Sequence, residues 1–505
     1  MSRFDLLFLS FFAIASRSAM SDDTYQLGFF VPLDTMCSDS VSLDIAAGGF
    51  HLAIDEINNQ GLVPGVQLNY TWTNVPNTTF SLTTMADHWD AGFKALIGTG
   101  CDCLHVARTA TSLYFTIAGY NQNYEAVVYS STTSKVMGQA LIGLEYQGFN
   151  FTEGCEDEEP IDRSAFNFGG FFRTNPPMYL VSHAILEVLD TFSWQLVSVV
   201  STSGDSYYDQ VTEAILEKLD ENGINVQHYK EFNSTYEPYE IEDDQMFPDI
   251  IREIRQTTRI YIFIGEPLQL RKFSVEMQNL GVLNGENVII APSLDYKIHG
   301  TQDYNSVLST GSDENDLATK AMRSVLILRQ KHHCLSDSDF DYFRDEVVER
   351  TKQYFYNDMS VNVEYTQRAF FAYDATLLAA KAVRNAWLID GLNEEWGYYI
   401  VNDHAVNQTY TSRSGMNVTI DSNGQALANY DLLSFSLLED EHIDDVSLSA
   451  GEDRGMIPVA DLTFTLTDSE YVVTYVSQRS IEWLGGAVPL DRPDCGFYGE
   501  KCRRE

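Results

Sequence analysis

Short apolar strand patterns alternate with amphipathic helix patterns along this chain, and that alternation limits the folds it can adopt. Tyr25–Leu33 has the pattern of a strand, and apolar residues then recur at helical spacing from Leu43 to Ile57. Val66–Trp72 and Ala95–Gly98 follow as further strands. Repeated strand–helix–strand units form parallel sheets with helices on both faces, joined by right-handed crossovers. The first series therefore predicts a doubly wound α/β domain.

The same alternation begins again further along the chain. The predicted elements are a strand over Gln195–Val200, a helix over Val211–Leu219, strands over Arg259–Gly265 and Val288–Ala291, a helix over Leu268–Leu280, and a later helix over Tyr365–Trp387. Each series is too short for one very large sheet. The sequence therefore predicts an α/β protein with two doubly wound lobes and mainly parallel sheets.

After the last predicted helix, the apolar residues change to the period of two that is typical of strands. Met416–Ile420 and Ala428–Phe435 alternate in this way, and Asp421-Ser422-Asn423-Gly424 lies between them. Asn-Gly favours the positive φ angles of a tight turn, so this region predicts a β-hairpin. A final antiparallel pair is predicted over Leu462–Leu466 and Tyr471–Val476.

The charge of the chain restricts its partners. With 73 acidic and 32 basic residues, the net charge is −41. Such a surface repels phosphate backbones and anionic headgroups, which makes nucleic acid a poor partner and weakly favours a cationic one. The apolar and charged fractions are ordinary for a globular protein, so a folded chain is expected.

The N-terminal region, residues 1–18, has the features of a secretory signal peptide. Arg3 precedes an apolar stretch over Leu6–Ala15, and small residues follow at Ser16 and Ser18. The stretch is shorter than the roughly twenty apolar residues that span a bilayer, and no later stretch of the sequence reaches that length. We therefore expect a secreted or extracellular chain, attached to a membrane only if a further segment provides the attachment.

Sequons and cysteines agree with an extracellular location. N-x-S/T sequons occur at Asn69, Asn77, Asn150, Asn233, Asn407 and Asn417. Cysteines occur at Cys37, Cys101, Cys103, Cys155, Cys334, Cys495 and Cys502. Behind a signal peptide these cysteines predict disulfides, and the odd number leaves one thiol that is either free or paired with a second chain. A bond between Cys495 and Cys502 is predicted because it would close a short loop.

No motif in the sequence predicts catalysis. Gly98-Thr99-Gly100-Cys101 follows a strand, where backbone N–H groups could bind an anion, but it lacks the Lys of a Walker A loop. Gly204-Asp205-Ser206 is similar to a serine-esterase nucleophile block but has no matching Asp-x-x-His, so a helix cap in a loop is favoured. His332-His333-Cys334 has no spaced second pair of metal ligands. We therefore predict neither a catalytic residue nor a metal site.

The C-terminal region resembles the juxtamembrane stalk of receptor guanylate cyclases and natriuretic-peptide receptors. The resemblance is carried by Trp483, Gly485-Gly486, Pro489, Pro493 and the loop from Cys495 to Cys502. Further matching motifs are Gly98–Cys101, Phe172-Arg173-Thr174-Asn175-Pro176-Pro177, Phe192-x-Trp194, Phe371–Ala375 and Gly415…Asp421-x-x-Gly424. Over roughly residues 24–502, the chain is similar to the atrial-natriuretic-factor-receptor ligand-binding region, which has a type I periplasmic-binding-protein-like fold.

The resemblance implies a clam-shell in which the chain crosses between lobes three times. It assigns residues 24–168 and 296–410 to a membrane-distal lobe, 169–295 and 411–490 to a membrane-proximal lobe, and 491–505 to the stalk. It also implies a homodimer that binds a peptide or small-molecule ligand and changes its lobe or dimer arrangement. Full-length members of this family are guanylate cyclases, but the predicted elements of this chain include no catalytic domain.

Parallel α/β sheets bind ligands beyond the carboxyl ends of their strands. The candidate cleft residues in such positions are Thr99, Gly100, Ser203, Gly204, Asp205, Glu266, Ser293 and Asp295. The resemblance further implies a chloride ion at the amides of Gly100 and Cys101, with a hydroxyl from Thr71 or Thr73, and no other cofactor. It also implies a disulfide between Cys37 and either Cys101 or Cys103.

Two other functions are compatible with the same fold. The first is a secreted decoy or scavenger, which would bind ligand without signalling. The second is the amino-terminal domain of a glutamate- or GABA-type receptor, against which the stalk motif argues. An esterase is the third and least favoured alternative, and hydrolysis that depends on Ser206 would support it.

Overall fold

A computed structural model describes the chain over most of its two α/β regions. The described residues are 23–31, 43–75, 78–93, 95–98, 116–119, 171–177, 179–204, 206–237, 245–293, 314–331, 334–355, 369–390, 404–422, 424–437, 454–467, 470–493 and 496–497. The predicted signal peptide lies outside these ranges.

The structure is mixed α/β with mainly parallel sheets, which confirms the predicted fold class. The strands are β1 (Asp23–Val31), β2 (Val66–Asn74), β3 (Ala95–Ile97), β4 (Thr116–Gly119), β5 (Phe171–Arg173), β6 (Leu196–Ser203), β7 (Asn225–Asn233), β8 (Ile260–Ile264), β9 (Val288–Ser293), β10 (Val325–Gln330), β11 (Gln408–Thr411), β12 (Asn417–Ile420), β13 (Asn429–Leu437), β14 (Arg454–Thr467) and β15 (Glu470–Ser477). The α-helices are α1 (Leu43–Gln60), α2 (Thr78–Asp90), α3 (Leu180–Thr191), α4 (Ser206–Glu221), α5 (Met246–Ile254), α6 (Pro267–Asn279), α7 (Glu314–Met322), α8 (Asp337–Arg350) and α9 (Ala369–Asp390). A π-helical turn, Thr351–Phe355, follows α8.

The described residues form two compact units. Unit 1 contains those within 1–124, 166–175 and 333–426, and unit 2 contains those within 125–165, 176–332 and 427–505. Within these ranges, no helix is both long enough and apolar enough to span a membrane.

Unit 1 has a parallel sheet with the strand order β2-β1-β3-β4-β5. Helix α1 packs against α8 and α9, and two adjacent glycines allow the close approach. A Cβ atom on Gly49 would lie 2.1 Å from the Ala369 carbonyl oxygen, and one on Gly48 would lie 2.1 Å from that of Val347. Phe29 of β1 stacks on Phe50 of α1 with ring centroids 4.1 Å apart. Because these two glycines have no side chain, the helices pack closely around an aromatic core.

Unit 2 has an eight-stranded sheet with the order β15-β14-β13-β10-β9-β8-β6-β7. Strands β10, β9, β8, β6 and β7 are parallel, whereas β13, β14 and β15 continue the sheet in antiparallel fashion. Every residue of β8 is buried, because helices cover both faces of the parallel half. The predicted antiparallel pair near the end of the chain is thereby confirmed as β14–β15.

The unit boundaries differ from the predicted lobe boundaries in three places. Strand β5 belongs to the sheet of unit 1, although residues from 169 onward were assigned to the proximal lobe. Strand β10 pairs with β9 and β13 in unit 2, although residues 296–410 were assigned to the other lobe. Its first four residues, 325–328, are apolar and buried, so a central position in the larger sheet pairs the strand backbone on both edges and buries both faces. The hairpin β11–β12 belongs to unit 1, although residues from 411 onward were assigned to the proximal lobe.

The predicted hairpin between Met416–Ile420 and Ala428–Phe435 was wrong. Strand β12 pairs with β11, whereas β13 pairs with β10 and β14. The turn between them does form, because Gly424 has a φ of +75° and donates its N–H to the Asp421 carbonyl oxygen at 3.1 Å. A bridge between Ile420 and Ala426 follows, and the chain then enters unit 2. Tight-turn residues predicted the turn correctly but not the strands that it joins.

Candidate functional site

Four of the predicted cleft residues lie at the carboxyl edge of the parallel sheet in unit 2. Ser203 ends β6, Glu266 follows β8, and Ser293 ends β9. These strands are neighbours in the order β9-β8-β6, so their ends meet at one edge. Gly204 lies at the same edge, directly after β6. Thr99, Gly100, Asp205 and Asp295 lie outside the described residues.

The turn after β6 is closed by its own hydrogen bonds. The Ser203 hydroxyl donates to the Phe232 carbonyl oxygen at 3.3 Å, and the Ser234 N–H donates to the Ser203 carbonyl oxygen at 2.8 Å. The Gly204 N–H donates to Asp209 Oδ1 at 3.2 Å. Gly204 has a φ of +87°, a conformation that glycine adopts without strain. The ends of β6 and β7 are thus held in one fixed arrangement.

Glu266 occupies the N-cap of α6, and its backbone is fixed from inside the unit. The Glu266 N–H donates to Gln269 Oε1 at 2.9 Å, and Gln269 Nε2 donates to the Tyr236 carbonyl oxygen at 3.0 Å. Gln269 is only 1% exposed. A Cβ atom on Gly265 would lie 2.8 Å from Gln269 Oε1, so glycine leaves room for this bond. These hydrogen bonds fix the shape of the loop, and the half-buried Glu266 side chain remains a candidate for contact with a ligand.

Ser203 and Gly204 also line an open acidic groove between α4 and β7, with a volume of about 650 Å³. Its carboxylates are those of Asp209, Glu213, Glu217, Asp220, Glu221 and Glu231. Burial raises the pKa of the Tyr229 hydroxyl, and its hydrogen bond to Glu231 raises that pKa further. Because these carboxylates line it, the groove can attract cationic groups and repel anionic ones.

In unit 1, three of the motifs that carried the family resemblance come together. The Arg173 N–H donates to the Gly424 carbonyl oxygen at 2.8 Å, and Arg173 Nε donates to Gln425 Oε1. The Thr174 hydroxyl donates to the Phe371 carbonyl oxygen at 2.7 Å. Arg173 is 2% exposed, so its guanidinium is a buried cross-link between segments far apart in sequence. The sequence identified the motifs but not this role.

A buried carboxylate in the same unit connects α9 to the turn after β11. Asp374 is 1% exposed, and its carboxylate accepts the Ser412 hydroxyl at 2.5 Å, the Arg413 N–H at 3.4 Å and the Tyr410 hydroxyl at 3.5 Å. Burial raises the pKa of Asp374 to about 7, and these hydrogen bonds oppose the rise. Asp374 is the one charged residue in the first half of α9, residues 369–380, and a lone carboxylate in such a stretch is the sequence signal for a buried network.

The predicted anion site is described in part. Thr73 lies in β2 with a half-buried side chain, opposite Phe30 of β1. Thr71 is exposed and accepts a hydrogen bond from Gln26 Nε2 at 3.2 Å. Gly100 and Cys101 lie outside the described residues, so a chloride ion stays a prediction.

Four of the six predicted glycosylation sites are described, and all four asparagines are exposed: Asn69, Asn233, Asn407 and Asn417. Asn77 and Asn150 lie outside the described residues. Two sequons face each other across the β11–β12 hairpin, where the hydroxyls of Thr409 and Thr419 are 2.8 Å apart. Tyr410 and Val418 on the other face of the hairpin are buried, so the sequon face points outward. Each acceptor amide is therefore accessible.

The predicted disulfides cannot be located in the described part of the chain. Cys37, Cys101, Cys103, Cys155, Cys495 and Cys502 lie outside it. Cys334 is exposed, and its N–H donates to the Ser414 carbonyl oxygen at 2.9 Å.

Comparison with known proteins places this architecture in a family. Residues 45–437 match the family described as receptor family ligand binding region. The Resact receptor of Arbacia punctulata is 26% identical over 485 residues, which cover 90% of this chain and 45% of that receptor. The Speract receptor of Strongylocentrotus purpuratus is 24% identical over 494 residues, or 90% of this chain and 40% of the receptor. Guanylate cyclase 32E of Drosophila melanogaster is 25% identical over 503 residues, or 98% of this chain and 37% of the cyclase.

The chain thus spans less than half the length of these curated relatives. The family match covers strands and helices of both units, from α1 to the end of β13. The Arg173, Thr174 and Phe371 motifs that predicted the family all lie inside the matched residues. The chain therefore belongs to the receptor family ligand binding region and is related to the receptor guanylate cyclases.

Proposed function

We propose that this chain is the extracellular ligand-binding region of a receptor of the guanylate cyclase type. The observation that carries the proposal is the family match over residues 45–437, together with the similarity to a guanylate cyclase over 98% of the chain. The conversion of GTP to cyclic GMP would belong to a part of the receptor other than the residues described here.

The proposed ligand is a peptide or a small molecule, and its binding favours one arrangement of the lobes or of a homodimer over another. A ligand shifts such an equilibrium only by the difference in its affinity for the two states. The carboxyl edge of the unit 2 sheet is the proposed contact region. Support comes from the convergence of Ser203, Glu266 and Ser293 at neighbouring strand ends.

An extracellular location is part of the proposal. The exposed sequon asparagines at Asn69, Asn233, Asn407 and Asn417 support it. Asn233 opposes Ser203 in the β6–β7 register, so a glycan on Asn233 would stand beside the proposed contact region. Enzymatic removal of that glycan, or Asn233→Gln, would test whether it limits access to the edge.

Ligand binding can be tested on the secreted chain by thermal unfolding in the presence of candidate ligands. The probes are a synthetic peptide library, glutamate and γ-aminobutyrate. A ligand at one hundred times its Kd stabilises the folded state by about 2.7 kcal/mol, which raises the unfolding temperature measurably. Stabilisation by a peptide supports the proposal, whereas stabilisation by glutamate or γ-aminobutyrate would favour the neurotransmitter-receptor alternative.

The contact region can be tested with a pair of variants. Ser203→Arg places a bulky side chain at the strand-end edge, and Asn59→Arg makes the same change on the exposed end of α1 in unit 1. Loss of the ligand-dependent stabilisation in the first variant alone supports the proposed edge. Equal stabilisation in both variants would place the ligand elsewhere.

A further inference from the structure

Residues 478–493, which follow β15, form no helix or strand, yet they are held on the surface of unit 2. We define the C-terminal strap as Gln478–Pro493. The strap begins where the N–H groups of Gln478 and Arg479 both donate to the Val459 carbonyl oxygen, at 2.8 and 3.0 Å. The strap therefore starts with a fixed direction relative to β14.

The turn between α3 and β6 anchors the far end of the strap. The Trp194 indole Nε1–H donates to the Pro489 carbonyl oxygen at 2.7 Å, and Trp194 is 1% exposed. The Gln195 N–H donates to Asp491 Oδ2 at 2.9 Å. A buried indole donor without an acceptor is costly, so the bond to Pro489 stabilises the docked strap.

Aromatic packing fixes the middle of the strap. The Trp483 ring meets Phe192 edge to face with centroids 5.3 Å apart, and it meets Trp194 in the same way at 6.1 Å. Phe192 in turn contacts Tyr475 of β15 at 6.1 Å. Edge-to-face pairs of this kind contribute to stability beyond the area that they bury.

A contact between backbones completes the docking. A Cβ atom on Gly285 would lie 2.6 Å from the Gly485 N atom, and one on Gly485 would lie 2.6 Å from the Gly285 carbonyl oxygen. Gly285 also has a φ of +95°. Only residues without a side chain allow these two segments to approach so closely.

We propose that the C-terminal strap is an integral part of unit 2 and acts as a rigid output element. Pro493, at the end of the strap, then moves with unit 2. Trp194 is the positioning residue, because it contacts both Pro489 and Trp483. This inference rests on the proposed receptor function, since a rigid connection is what would carry a rearrangement of unit 2 onward.

Hydrogen exchange measured by mass spectrometry on the secreted chain tests the docking without any ligand. Trp194→Phe removes the indole donor but keeps an aromatic ring, and Gly285→Ala pushes the two backbones apart. Val488→Ser is the matched control, because Val488 is in the strap but its side chain is 41% exposed. We expect protected amides at Gln195 and Gly486 in the wild-type chain and in the control.

Loss of one hydrogen bond of ordinary strength should raise the exchange rates of these amides about tenfold in Trp194→Phe, with a larger increase in Gly285→Ala. The amides of β8 serve as an internal reference and should keep their protection, which separates local release from global unfolding. Unprotected strap amides in the wild-type chain, or equal protection in Trp194→Phe and the wild type, would overturn the proposal. Neither outcome depends on a ligand, so a failure here is distinguishable from a failure of the proposed function.

A distance measurement tests rigidity directly. Fluorophores introduced as unnatural amino acids at Leu490 and Asn222, both exposed, should give one narrow distance distribution in the wild-type chain. A broad distribution in the wild-type chain would contradict a rigid output element, and broadening in Gly285→Ala alone would support it.

Discussion

The buried carboxylate of Asp374 should make the stability of this protein fall as the pH rises. Its pKa is raised to about 7 in the folded protein, mainly by burial, from an ordinary value of 3.8. Between these two values the folded state holds a proton that the unfolded state has lost. The stabilisation is therefore fully present below the unfolded pKa and disappears as the pH passes through the folded pKa.

The size of the effect follows from the two pKa values. Each unit of pKa difference corresponds to about 1.4 kcal/mol, so the contribution of Asp374 should fall by about 3 kcal/mol between pH 5 and pH 8. This is a large part of a typical unfolding free energy of about 5–15 kcal/mol. Hydrogen bonds from Ser412 and Arg413 oppose this rise in the pKa of Asp374.

The assay is urea denaturation of the wild-type chain and of Asp374→Asn at several pH values from 5 to 8. Asparagine cannot ionise, so the wild type should lose about 3 kcal/mol relative to the variant over this range. Asp220→Asn, at an exposed position of α4, controls for the loss of one carboxylate from the net charge. Parallel curves for the wild type and Asp374→Asn would refute the reasoning, because they would mean that Asp374 is already ionised at pH 5.

Three further predictions concern packing, the motif cross-link and modification. Gly49→Ala should destabilise unit 1 by about 3 kcal/mol and lower secretion, because its Cβ atom would meet the Ala369 carbonyl oxygen. Asn59→Ala, at an exposed position, should leave both stability and secretion unchanged, and equal secretion yields for the two variants would contradict this prediction. Arg173→Lys removes the Nε donor to Gln425 and should lower the urea midpoint by the equivalent of about 1–3 kcal/mol. Arg479→Lys, at an exposed position, should leave the midpoint unchanged. Matching midpoints for the two variants would show that the buried cross-link is dispensable. When the chain is secreted from eukaryotic cells, removal of its glycans by a glycosidase should convert Asn407 and Asn417 to aspartate, which mass spectrometry detects. Unmodified asparagine at both positions, in a chain that carries a glycan on Asn233, would mean that the hairpin face is not glycosylated.

Local sequence patterns predicted most of the secondary structure. The strand and helix patterns around Val66–Trp72, Leu268–Leu280 and Tyr471–Val476 correspond to β2, α6 and β15, because periodicity reports which face of an element is buried. The turn at Gly424 was also predictable from local sequence, because a positive φ angle is a local requirement that favours glycine.

Strand pairing could not be predicted in the same way, because it depends on residues far apart in the chain. β12 pairs with β11 and not with the strand after the Gly424 turn, since Val418 and Ile420 pack in the core of unit 1. β10 joins the sheet of unit 2 through partners on both sides. Nothing in the spacing of these residues indicates which sheet they enter.

The strand-end positions of the candidate residues could be predicted from the sequence, but their contacts could not, and their role in binding stays a prediction. The strand-end rule placed Ser203, Glu266 and Ser293 at one edge, where the structure has them. Arg173 and Trp194 meet partners that are 252 and 295 residues away, and Asp374 meets Ser412 across 38 residues, so only coordinates bring these partners together.

The most direct test of the receptor proposal is the natural transcript read past the codon for Glu505, followed by a cyclic GMP assay of its product in cell membranes. The proposal predicts a reading frame that continues through about twenty apolar residues into a cyclase domain, and membranes whose cyclic GMP production changes when a bound peptide is added. A secreted product of the natural transcript that binds ligand without a membrane-bound form would contradict the receptor role and establish a decoy.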